Sequence, residues 1–246
     1  MSADKLPAAL LEQATAPYRP LGKFAWHFAR GKLGGDPAFT GLLQRGLIPP
    51  RARLLDIGCG QGLLAALLGS LDGHSGAERS WPGRWAAAPA GVQVHGIELM
   101  PRDVERAQKA LDHLGPRARF TQGDMRTTDF GPADVAVILD VLHYVDYAAQ
   151  ADVLRRVKAA LAPQGTLLLR VGDAAAGLPF KISNWVDAVV TFVRGHRLAR
   201  LYCRPLSEWQ QLLRDLGFAV EPIPMHAGTP FANVLLVARL PGSAAP

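Results

Sequence analysis

The feature that most constrains the fold is the stretch LLDIGCGQG, residues 54–62, where an apolar run ends in three glycines at alternate positions. The run is typical of a buried strand, and the segment LLAALLGSL after it is typical of a helix. A loop between such a strand and such a helix lies at the carboxyl edge of a parallel sheet, where α/β proteins bind ligands. Because Gly58, Gly60 and Gly62 lack side chains, a ligand can approach the backbone there.

Apolar runs alternate with helical patterns along the chain from Arg53 onward. Runs such as VAVIL and TLLL are apolar throughout, which is typical of strands covered on both faces of a sheet. This alternation predicts an α/β fold with a doubly wound, Rossmann-like sheet of seven strands. We expect the last two strands, FAVEPIPM and NVLLVARL, to be antiparallel partners.

The domain organisation is predicted from changes in residue composition and hydrophobic pattern along the chain. Residues 1–50 read as helical pieces broken by prolines and form an N-terminal helical cap. Residues 51–246 form the main domain, with a Gly/Pro/Ala-rich loop insertion at 72–91 and a helical insertion at 174–205 on the substrate side. The loop insertion enters the second strand from its amino end, so we expect it to take no direct part in the chemistry.

The composition sets limits on partners and compartment. The net charge of +6 favours anionic partners, but no run of five bases, helix-turn-helix or zinc finger is present, so nucleic acid is disfavoured. No window approaches the roughly 18 apolar residues that cross a bilayer. The N-terminus lacks a secretory signal, and two cysteines make no disulfide framework, so we expect a cytoplasmic protein.

Two acids follow the next two predicted strands. Glu98 ends VHGIE and Asp124 ends FTQGD, so both are expected at the same sheet edge as the glycine loop. Glu98 is placed to accept hydrogen bonds from ribose hydroxyls, and Asp124 from an adenine amino group. The spacing G-x-G-x-G differs from the dinucleotide pattern G-x-G-x-x-G, which disfavours a nicotinamide-dependent reductase. The plainer alternative is a Gly-rich turn with solvated acids at the strand ends.

The stretches LLDIGCGQG, GIELM, QGDM and ADVAVILDVLHYVD, in this order, resemble the class I S-adenosylmethionine-dependent methyltransferases over roughly Arg53 to Arg239. The resemblance implies S-adenosylmethionine as cofactor and a methyltransferase domain over residues 51–246. The separation of Gly58 from Glu98 is longer than the family's by about the loop insertion. The implied cofactor-binding residues are Asp56, Gly58, Gly60 and Gly62 for the methionine part, Glu98 and Leu99 for the ribose, and Asp124 and Met125 for adenine. Cys59, inside the glycine loop, and Asp140 are further candidates for contact with the cofactor.

The stretch LDVLHYVD follows the fourth predicted strand. It lacks the Asn or Asp followed by Pro-Pro and an aromatic residue that nucleic-acid amino methyltransferases present, and it resembles small-molecule and acyl-substrate enzymes instead. His143 is expected beside the methyl donor, where neutral imidazole can take a proton from a hydroxyl group. The alternative is a helix-start residue that packs under the cap or touches the cofactor.

Further site residues are predicted with a structural alternative for each. Arg30, or Lys23, in the cap can reach the methionine carboxylate, and Arg170 either binds a substrate carboxylate or pairs with an acid of the cofactor site. The other candidates for the substrate side are Tyr144, Phe180, Trp185 and His27. We expect no metal, since Asp140, Asp146 and Asp173 offer acids without an Asp-Asn pair.

A narrower resemblance covers nearly the whole chain. The stretches YRPLGKFAWHFARGKL, DVLHYVDYAAQADVLRRV, RVGDAAAGLPFKISNWVD and GTPFANVLLVAR are similar to methyltransferases of bacterial aryl polyene pigment pathways. This implies O-methylation of a hydroxylated aryl group carried by an acyl carrier protein. The basic residues Arg194, Arg197, Arg200 and Arg204 are then a docking patch for that carrier or for anionic lipid, or else a solvated face. A methyltransferase-like scaffold that binds the cofactor without turnover remains the non-enzymatic alternative.

Overall fold

A computed structural model describes residues 5–72, 81–172, 201–225 and 233–242. The helices are α1 (Ala8–Thr15), α2 (Lys23–Gly35), α3 (Pro37–Gln44), α4 (Leu63–Gly69), α5 (Pro101–Leu111), α6 (Tyr147–Ala160) and α7 (Leu206–Asp215). Short 3₁₀ helices span Ala16–Leu21, Asp112–Arg117 and Leu142–Tyr144. The strands are β1 (Arg53–Ile57), β2 (Gln93–Glu98), β3 (Ala118–Gln122), β4 (Ala133–Leu139), β5 (Leu161–Gly172), β6 (Ala219–Pro224) and β7 (Asn233–Arg239).

The strands form one seven-stranded sheet in the order β3-β2-β1-β4-β5-β7-β6. β1, β2 and β3 are parallel to one another, whereas β7 is antiparallel to both β5 and β6. The predicted α/β architecture and the antiparallel pairing of the last two strands are therefore confirmed. Since the strand order runs outward from β1 on one side through β2 and β3 and on the other through β4, the switch point of the sheet lies beside β1.

Contacts divide the chain into two compact units, one up to Val135 and one from Ala136 onward. The first unit contains α1–α5 and β1–β3, and the second contains α6, α7 and β5–β7. The predicted N-terminal helices are present, and they belong to the same unit as β1–β3. We describe each unit by itself.

In the first unit, the core forms around β1 and α4. The side chains of Leu54, Leu55 and Ile57 are almost fully buried, as expected for a strand inside a sheet. Among the N-terminal helices, α3 begins at Pro37, and Asp36 caps it by accepting a hydrogen bond from the Ala38 amide, so the proline starts a helix here.

The described part of the predicted loop insertion, residues 81–91, is anchored to the first unit at several points. Trp85 is buried, and the Ala86 amide donates to the carbonyl of Gln44 at the end of α3. The Gly91 amide donates to Asp72 at the start of the insertion. Residues 81–91 of the insertion therefore pack onto the first unit, although their sequence shows no periodicity.

In the second unit, β5 and β7 form the buried centre through Leu167–Leu169 and Leu235–Val237. α6 begins at Asp146, whose side chain accepts from the Ala149 amide, and α7 begins after Pro205 and ends before Gly217, as predicted. Most of the predicted helical insertion at 174–205 lies outside the described residues, and its described end, residues 201–205, is not helical. Among the described helices, none is long and apolar enough to cross a membrane.

Candidate functional sites in the two units

The glycine loop after β1 adopts a backbone conformation that L-residues disfavour. Gly58, Gly60 and Gly62 have φ values of 76°, 56° and 80°, all in the left-handed region. The amides of Gly58 and Cys59 both donate to the carbonyl of Ile97 in β2, at 2.8 and 3.2 Å. The loop is therefore fixed to the neighbouring strand, and it presents bare backbone at its three glycines.

The glycines have different surroundings. A Cβ atom on Gly62 would lie 3.0 Å from Leu111 Cδ1 and from Phe120 Cε1, so Gly62 allows α4 to pack closely against its neighbours. This is the packing role of the third glycine in a dinucleotide fingerprint, reached here with a different spacing. A Cβ atom on Gly60 would meet nothing within 4 Å, so the open space beside the loop adjoins Gly60.

Glu98, the acid at the end of β2, holds the glycine loop directly. Its Oε2 accepts a hydrogen bond from the Gly60 amide at 2.9 Å, and its Oε1 accepts one from the Met100 amide at 2.9 Å. The next residue, Leu99, is 53% exposed although it is apolar. Glu98 is thus hydrogen-bonded to the open part of the loop and is followed in the chain by an exposed apolar side chain.

Asp56, at the end of β1, is a buried carboxyl group. Burial, and to a smaller extent the nearby charge of Glu98, raise its pKa to about 7. Within the described part of the chain, no group donates a hydrogen bond to this carboxyl group. The negative form of Asp56 is therefore poorly stabilised by the protein alone, and a cationic ligand group would stabilise it.

Cys59 is a buried free thiol whose pKa is raised well above the ordinary value, mainly by burial. A Cβ atom on Gly96 would lie 2.7 Å from Cys59 Sγ, so the thiol packs over β2 at this glycine. Gly96 was not predicted as part of the site. A single glycine inside a strand does signal the close approach of another group, and that signal could have identified it.

Asp124, two residues beyond β3, forms a charged pair with Arg126. Both oxygens of Asp124 accept hydrogen bonds from the Arg126 guanidinium, at 2.5–3.0 Å, and Oδ1 also accepts from the Arg126 amide. These bonds lower the pKa of Asp124. Met125 lies between the two residues in the same turn. The predicted adenine contact at Asp124 would therefore form beside an exposed arginine.

The N-terminal helices contact the glycine loop through two buried polar side chains. The hydroxyl group of Tyr18 donates to the carbonyl of Gln61 at 2.8 Å, and Gln61 Nε2 donates to the carbonyl of Ala25 at 2.9 Å. Both side chains are almost completely buried. Gln61 was missed by the sequence analysis because its partners lie far away in the chain, and no local pattern indicates them.

The predicted cap residues Arg30 and His27 lie on α2. Arg30 forms an ion pair with Glu12 at 2.7 Å, and its guanidinium lies over the Trp26 ring at 5.9 Å from the centroid. The His27 ring contacts Trp26, with centroids 4.7 Å apart. Arg30 therefore has an acidic partner within the cap, and reaching a ligand carboxylate would break that pair.

His143, in the second unit, lies in the 3₁₀ turn Leu142–Tyr144 that follows β4. Burial lowers the pKa of its imidazole below the ordinary value of 6.5, and the negative charge of Asp140 partly opposes this shift. The ring is therefore neutral at pH 7. The ring of Tyr144, which is partly exposed, lies 4.4 Å from the His143 ring between centroids.

Arg170 forms an ion pair with Asp140 beside this turn, and the Asp140 side chain is 25% exposed. Arg170 Nε donates to Asp140 Oδ1 at 2.9 Å, and Arg170 Nη2 also contacts Asp140 Oδ2. Arg170 is only 2% exposed, and Asp140 has a left-handed φ of 57°. Of the two alternatives predicted for Arg170, the structure shows pairing with an acid. Replacement of Asp140 would take an acidic partner away from a fully buried guanidinium, which is unfavourable.

The predicted basic patch is only partly described. Arg204 Nε donates to Gln150 Oε1 at 2.9 Å, and its guanidinium lies 4.4 Å from the centroid of the Tyr147 ring. Its side chain is 18% exposed. Arg204 therefore takes part in packing, and docking by the basic residues, or their alternative as a solvated face, stays a prediction. Phe180, Trp185, Arg194, Arg197 and Arg200 lie outside the described residues.

No group of three or more His, Cys, Asp or Glu side chains within the described ranges is arranged to hold a metal ion. The geometry thus contains two clusters. The first unit holds a glycine loop with two acids, and the second holds a neutral histidine beside an acid–arginine pair.

Comparison with known proteins places these clusters in context. A family model described as a methyltransferase domain matches residues 25–223. A carboxy-S-adenosyl-L-methionine synthase from Chromohalobacter salexigens is 30% identical over 148 residues, which cover 57% of this chain and 48% of that protein. An acetylserotonin O-methyltransferase from Mus musculus is 45% identical over 58 residues, 24% of this chain and 15% of that protein. The matched segments thus span about half, or less, of these curated relatives.

Solved structures share the fold at low identity. Mitomycin 7-O-methyltransferase has a TM-score of 0.59 and 24% identity, covering 94% of this chain and 60% of that chain. The 1,6-didemethyltoxoflavin-N1-methyltransferase of Burkholderia thailandensis, with bound S-adenosylhomocysteine, has a TM-score of 0.59 and 20% identity, covering 95% and 88%. The magnesium protoporphyrin IX methyltransferase of Synechocystis PCC 6803 has a TM-score of 0.58 and 18% identity, covering 96% of both chains.

Proposed function

Because the chain belongs to the methyltransferase-domain family, we propose that it is an S-adenosylmethionine-dependent enzyme that methylates a small-molecule or carrier-bound acceptor. The observation that carries the proposal is the cluster of Asp56, Gly60 and Glu98 in the first unit. There, a buried carboxyl group without a described donor lies near an open backbone loop that Glu98 holds.

The residues of this cluster fit the proposed cofactor chemically. S-adenosylmethionine, when bound, supplies a methyl group on a positively charged sulfur. The charged form of Asp56 would be stabilised by the positive charge of the methionine part, and Glu98 offers carboxylate oxygens to ribose hydroxyls. Leu99 offers an exposed apolar side chain, and Asp124 offers acceptors to an amino group. The roles of Cys59, Met125 and Arg30 toward the cofactor remain predictions.

For catalysis we propose that His143 acts as the general base. A phenol with a pKa of about 10 is only about 0.1% ionised at pH 7, so a base raises the reactive fraction. Support comes from the lowered pKa of the buried imidazole, which keeps it neutral and able to accept a proton at pH 7. In the Asp140–Arg170 pair, the positive charge of Arg170 would offset the negative charge of Asp140 beside the turn that carries His143.

The finer proposal is O-methylation of a hydroxylated aryl group, of the aryl polyene type, on an acyl carrier protein in the cytoplasm. It is supported by the narrower resemblance of the sequence and by the net charge of +6, which favours an acidic partner. Tyr144 is proposed as a substrate-side aromatic residue, since its ring is partly exposed next to His143. Contact with anionic lipid is the other source of attraction for this charge.

Calorimetric titration tests the cofactor assignment. The protein is titrated with S-adenosylmethionine, with S-adenosylhomocysteine and with NADH. We expect saturable binding of the first two and none of NADH. Binding of NADH without binding of either sulfur nucleoside would overturn the proposal in favour of a reductase.

Turnover is tested by mass spectrometry of hydroxylated aromatic acids, free and linked to a carrier protein, after incubation with the protein and S-adenosylmethionine. The expected product has gained one methyl group. Binding of the cofactor without methylation of any acceptor would favour a scaffold without turnover. A carboxylated nucleoside in the same reaction would instead favour the activity named in the Chromohalobacter relative, which is 30% identical over its matched segment.

A further inference from the structure

Gln150, in the second turn of α6, uses its whole side-chain amide in hydrogen bonds. Its Nε2 donates to the carbonyls of Val145 at 3.1 Å and Tyr202 at 2.7 Å. Its Oε1 accepts from Arg204 Nε at 2.9 Å. The residue is completely buried. Because both N–H groups face carbonyl oxygens and the oxygen faces a guanidinium, only one orientation of the amide satisfies all three bonds.

These bonds join two segments that are distant in sequence. One is the turn Leu142–Tyr144 with the following Val145, and the other is the segment Leu201–Arg204, which we call the strap. The strap is also bonded directly to the turn, because the Tyr202 amide donates to the carbonyl of His143 at 2.9 Å. The backbone around His143 is therefore held at two carbonyls, one through Gln150 and one through the strap that Gln150 holds.

Arg204 and Tyr147 fix the other end of the strap to the start of α6. Arg204 Nη2 donates to the Tyr147 carbonyl at 3.2 Å, and the Tyr147 hydroxyl donates to the Cys203 carbonyl at 3.2 Å. The rings of Tyr147 and Tyr202 meet edge to face with centroids 5.4 Å apart. The strap is thus tied along its length, and Gln150 is the buried residue that connects it to the turn carrying His143.

We propose that Gln150 is a positioning residue for His143: through Val145 and the strap it sets the position of the turn and hence the orientation of the imidazole. The catalytic consequence rests on the proposed role of His143 as general base. Burial of an unsatisfied carbonyl is unfavourable. Loss of the Gln150 amide would therefore free the carbonyls of Val145 and Tyr202 to seek other donors, and the turn would move with them.

The test replaces Gln150 by leucine, which has a similar size and makes no hydrogen bond. Protein labelled with ¹⁵N-histidine is titrated by NMR, and the ring signals of His143 are assigned with His143→Gln. We expect the ring signals and the titration midpoint of His143 to change in Gln150→Leu. The signals and midpoints of the other six histidines should stay as in wild type. The affinity for S-adenosylhomocysteine should stay within about twofold of wild type, because the Gln150 side chain bonds to Val145, Tyr202 and Arg204, none of which is a predicted cofactor residue.

Gln108→Leu is the matched control. Gln108 also donates from Nε2 to a backbone carbonyl, that of Phe120, but it lies on α5 in the first unit. The Gln108→Leu variant should leave the His143 signals unchanged. Gln150→Glu is the second variant, because it keeps an acceptor for Arg204 and loses both donors. It should reproduce the His143 shift, and it decides the question if Gln150→Leu does not fold.

Wild-type His143 ring signals and titration in a folded Gln150→Leu or Gln150→Glu protein would overturn the proposal. Where an acceptor shows turnover, Gln150→Leu should lower kcat at least tenfold and leave KM for S-adenosylmethionine within twofold. The variant His143→Gln distinguishes a failure of the general-base proposal from a failure of the positioning proposal. If that variant retains full turnover while Gln150→Leu still shifts the His143 signals, the positioning holds and only the catalytic role fails.

Discussion

The buried carboxyl group of Asp56 makes a prediction about stability at the scale of a single residue. Its pKa is raised from 3.8 to about 7 in the folded protein, so folding favours the protonated form. This contribution is fully present below about pH 4 and is lost as the pH rises to about 7, at about 1.4 kcal/mol for each pH unit. Above pH 7 it stays lost.

The substitution Asp56→Asn removes this titration. We expect the variant's free energy of unfolding, relative to wild type, to rise between about pH 4 and pH 7 and then to level off, because only wild type loses the contribution of Asp56 there. Urea unfolding of the ligand-free protein across this range measures the difference. A difference that does not depend on pH would show that Asp56 titrates normally.

Glu98 is expected to contribute to cofactor affinity in two ways, through ribose hydroxyls and through its bond to the Gly60 amide. Glu98→Ala should weaken binding of S-adenosylhomocysteine by about 1.5–3 kcal/mol, roughly tenfold to a hundredfold, because charge-assisted hydrogen bonds are lost. Isothermal titration calorimetry measures this. Glu105→Ala, which removes an exposed glutamate paired with Lys109 on α5, is the control and should leave the affinity unchanged. Equal affinity in both variants would remove Glu98 from the site.

His143 gives a prediction about pH dependence. His143→Ala should lower turnover at least tenfold and leave cofactor affinity unchanged, because the proposed base does not hold the cofactor. Burial lowers the pKa of the wild-type imidazole, so kcat/KM should fall on the acid side only below pH 6.5. Rates measured from pH 5 to 9 test both statements, and full activity of the variant from pH 6 to 9 would rule out the base.

At the scale of elements, the N-terminal helices and the glycine loop share the bond from the Tyr18 hydroxyl to the Gln61 carbonyl. Tyr18→Phe leaves this buried carbonyl without its donor, which should lower the free energy of unfolding by about 1–3 kcal/mol. Because Gln61 lies between Gly60 and Gly62, the affinity for S-adenosylhomocysteine should fall as well. Urea unfolding and calorimetry measure the two effects.

Tyr147→Phe is the comparison for this prediction. The Tyr147 hydroxyl also donates to a backbone carbonyl, but the residue is 44% exposed, so water can replace the bond and the loss should stay below about 0.5 kcal/mol. Equal losses in the two variants would mean that burial of the Tyr18 bond is unimportant. An unchanged affinity in Tyr18→Phe would mean that the N-terminal helices do not influence the loop.

Elements with local signals could be predicted from the sequence. Pro205 and Gly217 bound α7, Asp146 caps α6, and the apolar runs became strands, because these effects act within a few residues. The end acids of β1 and β2 could also be predicted, since parallel strands present their carboxyl ends at one edge. The contacts of Gln61, Gln150 and Arg204 could not be predicted, because most of their partners lie 36 to 57 residues away.

At the scale of the whole molecule, the proposed roles divide between the two units. The first holds the glycine loop, Asp56 and Glu98, and the second holds His143 with its strap. Many of the basic side chains already have acidic partners, as in the pairs Arg53–Asp134, Arg126–Asp124 and Arg239–Glu221. We therefore expect long-range attraction of an anionic partner to depend on the net charge of +6 and not on any one of these paired side chains.

This charge predicts how salt should affect a carrier-bound acceptor. Raising the ionic strength from about 0.01 to about 1 M shortens the screening length from about 30 to about 3 Å. We expect KM for an acceptor on an acidic carrier protein to rise severalfold across this range, because long-range attraction is lost. KM for the same aromatic acceptor without its carrier should change little. Steady-state rates with matched free and carrier-linked acceptors measure the contrast, and the same salt dependence for both would show that the basic charge does not recruit the carrier.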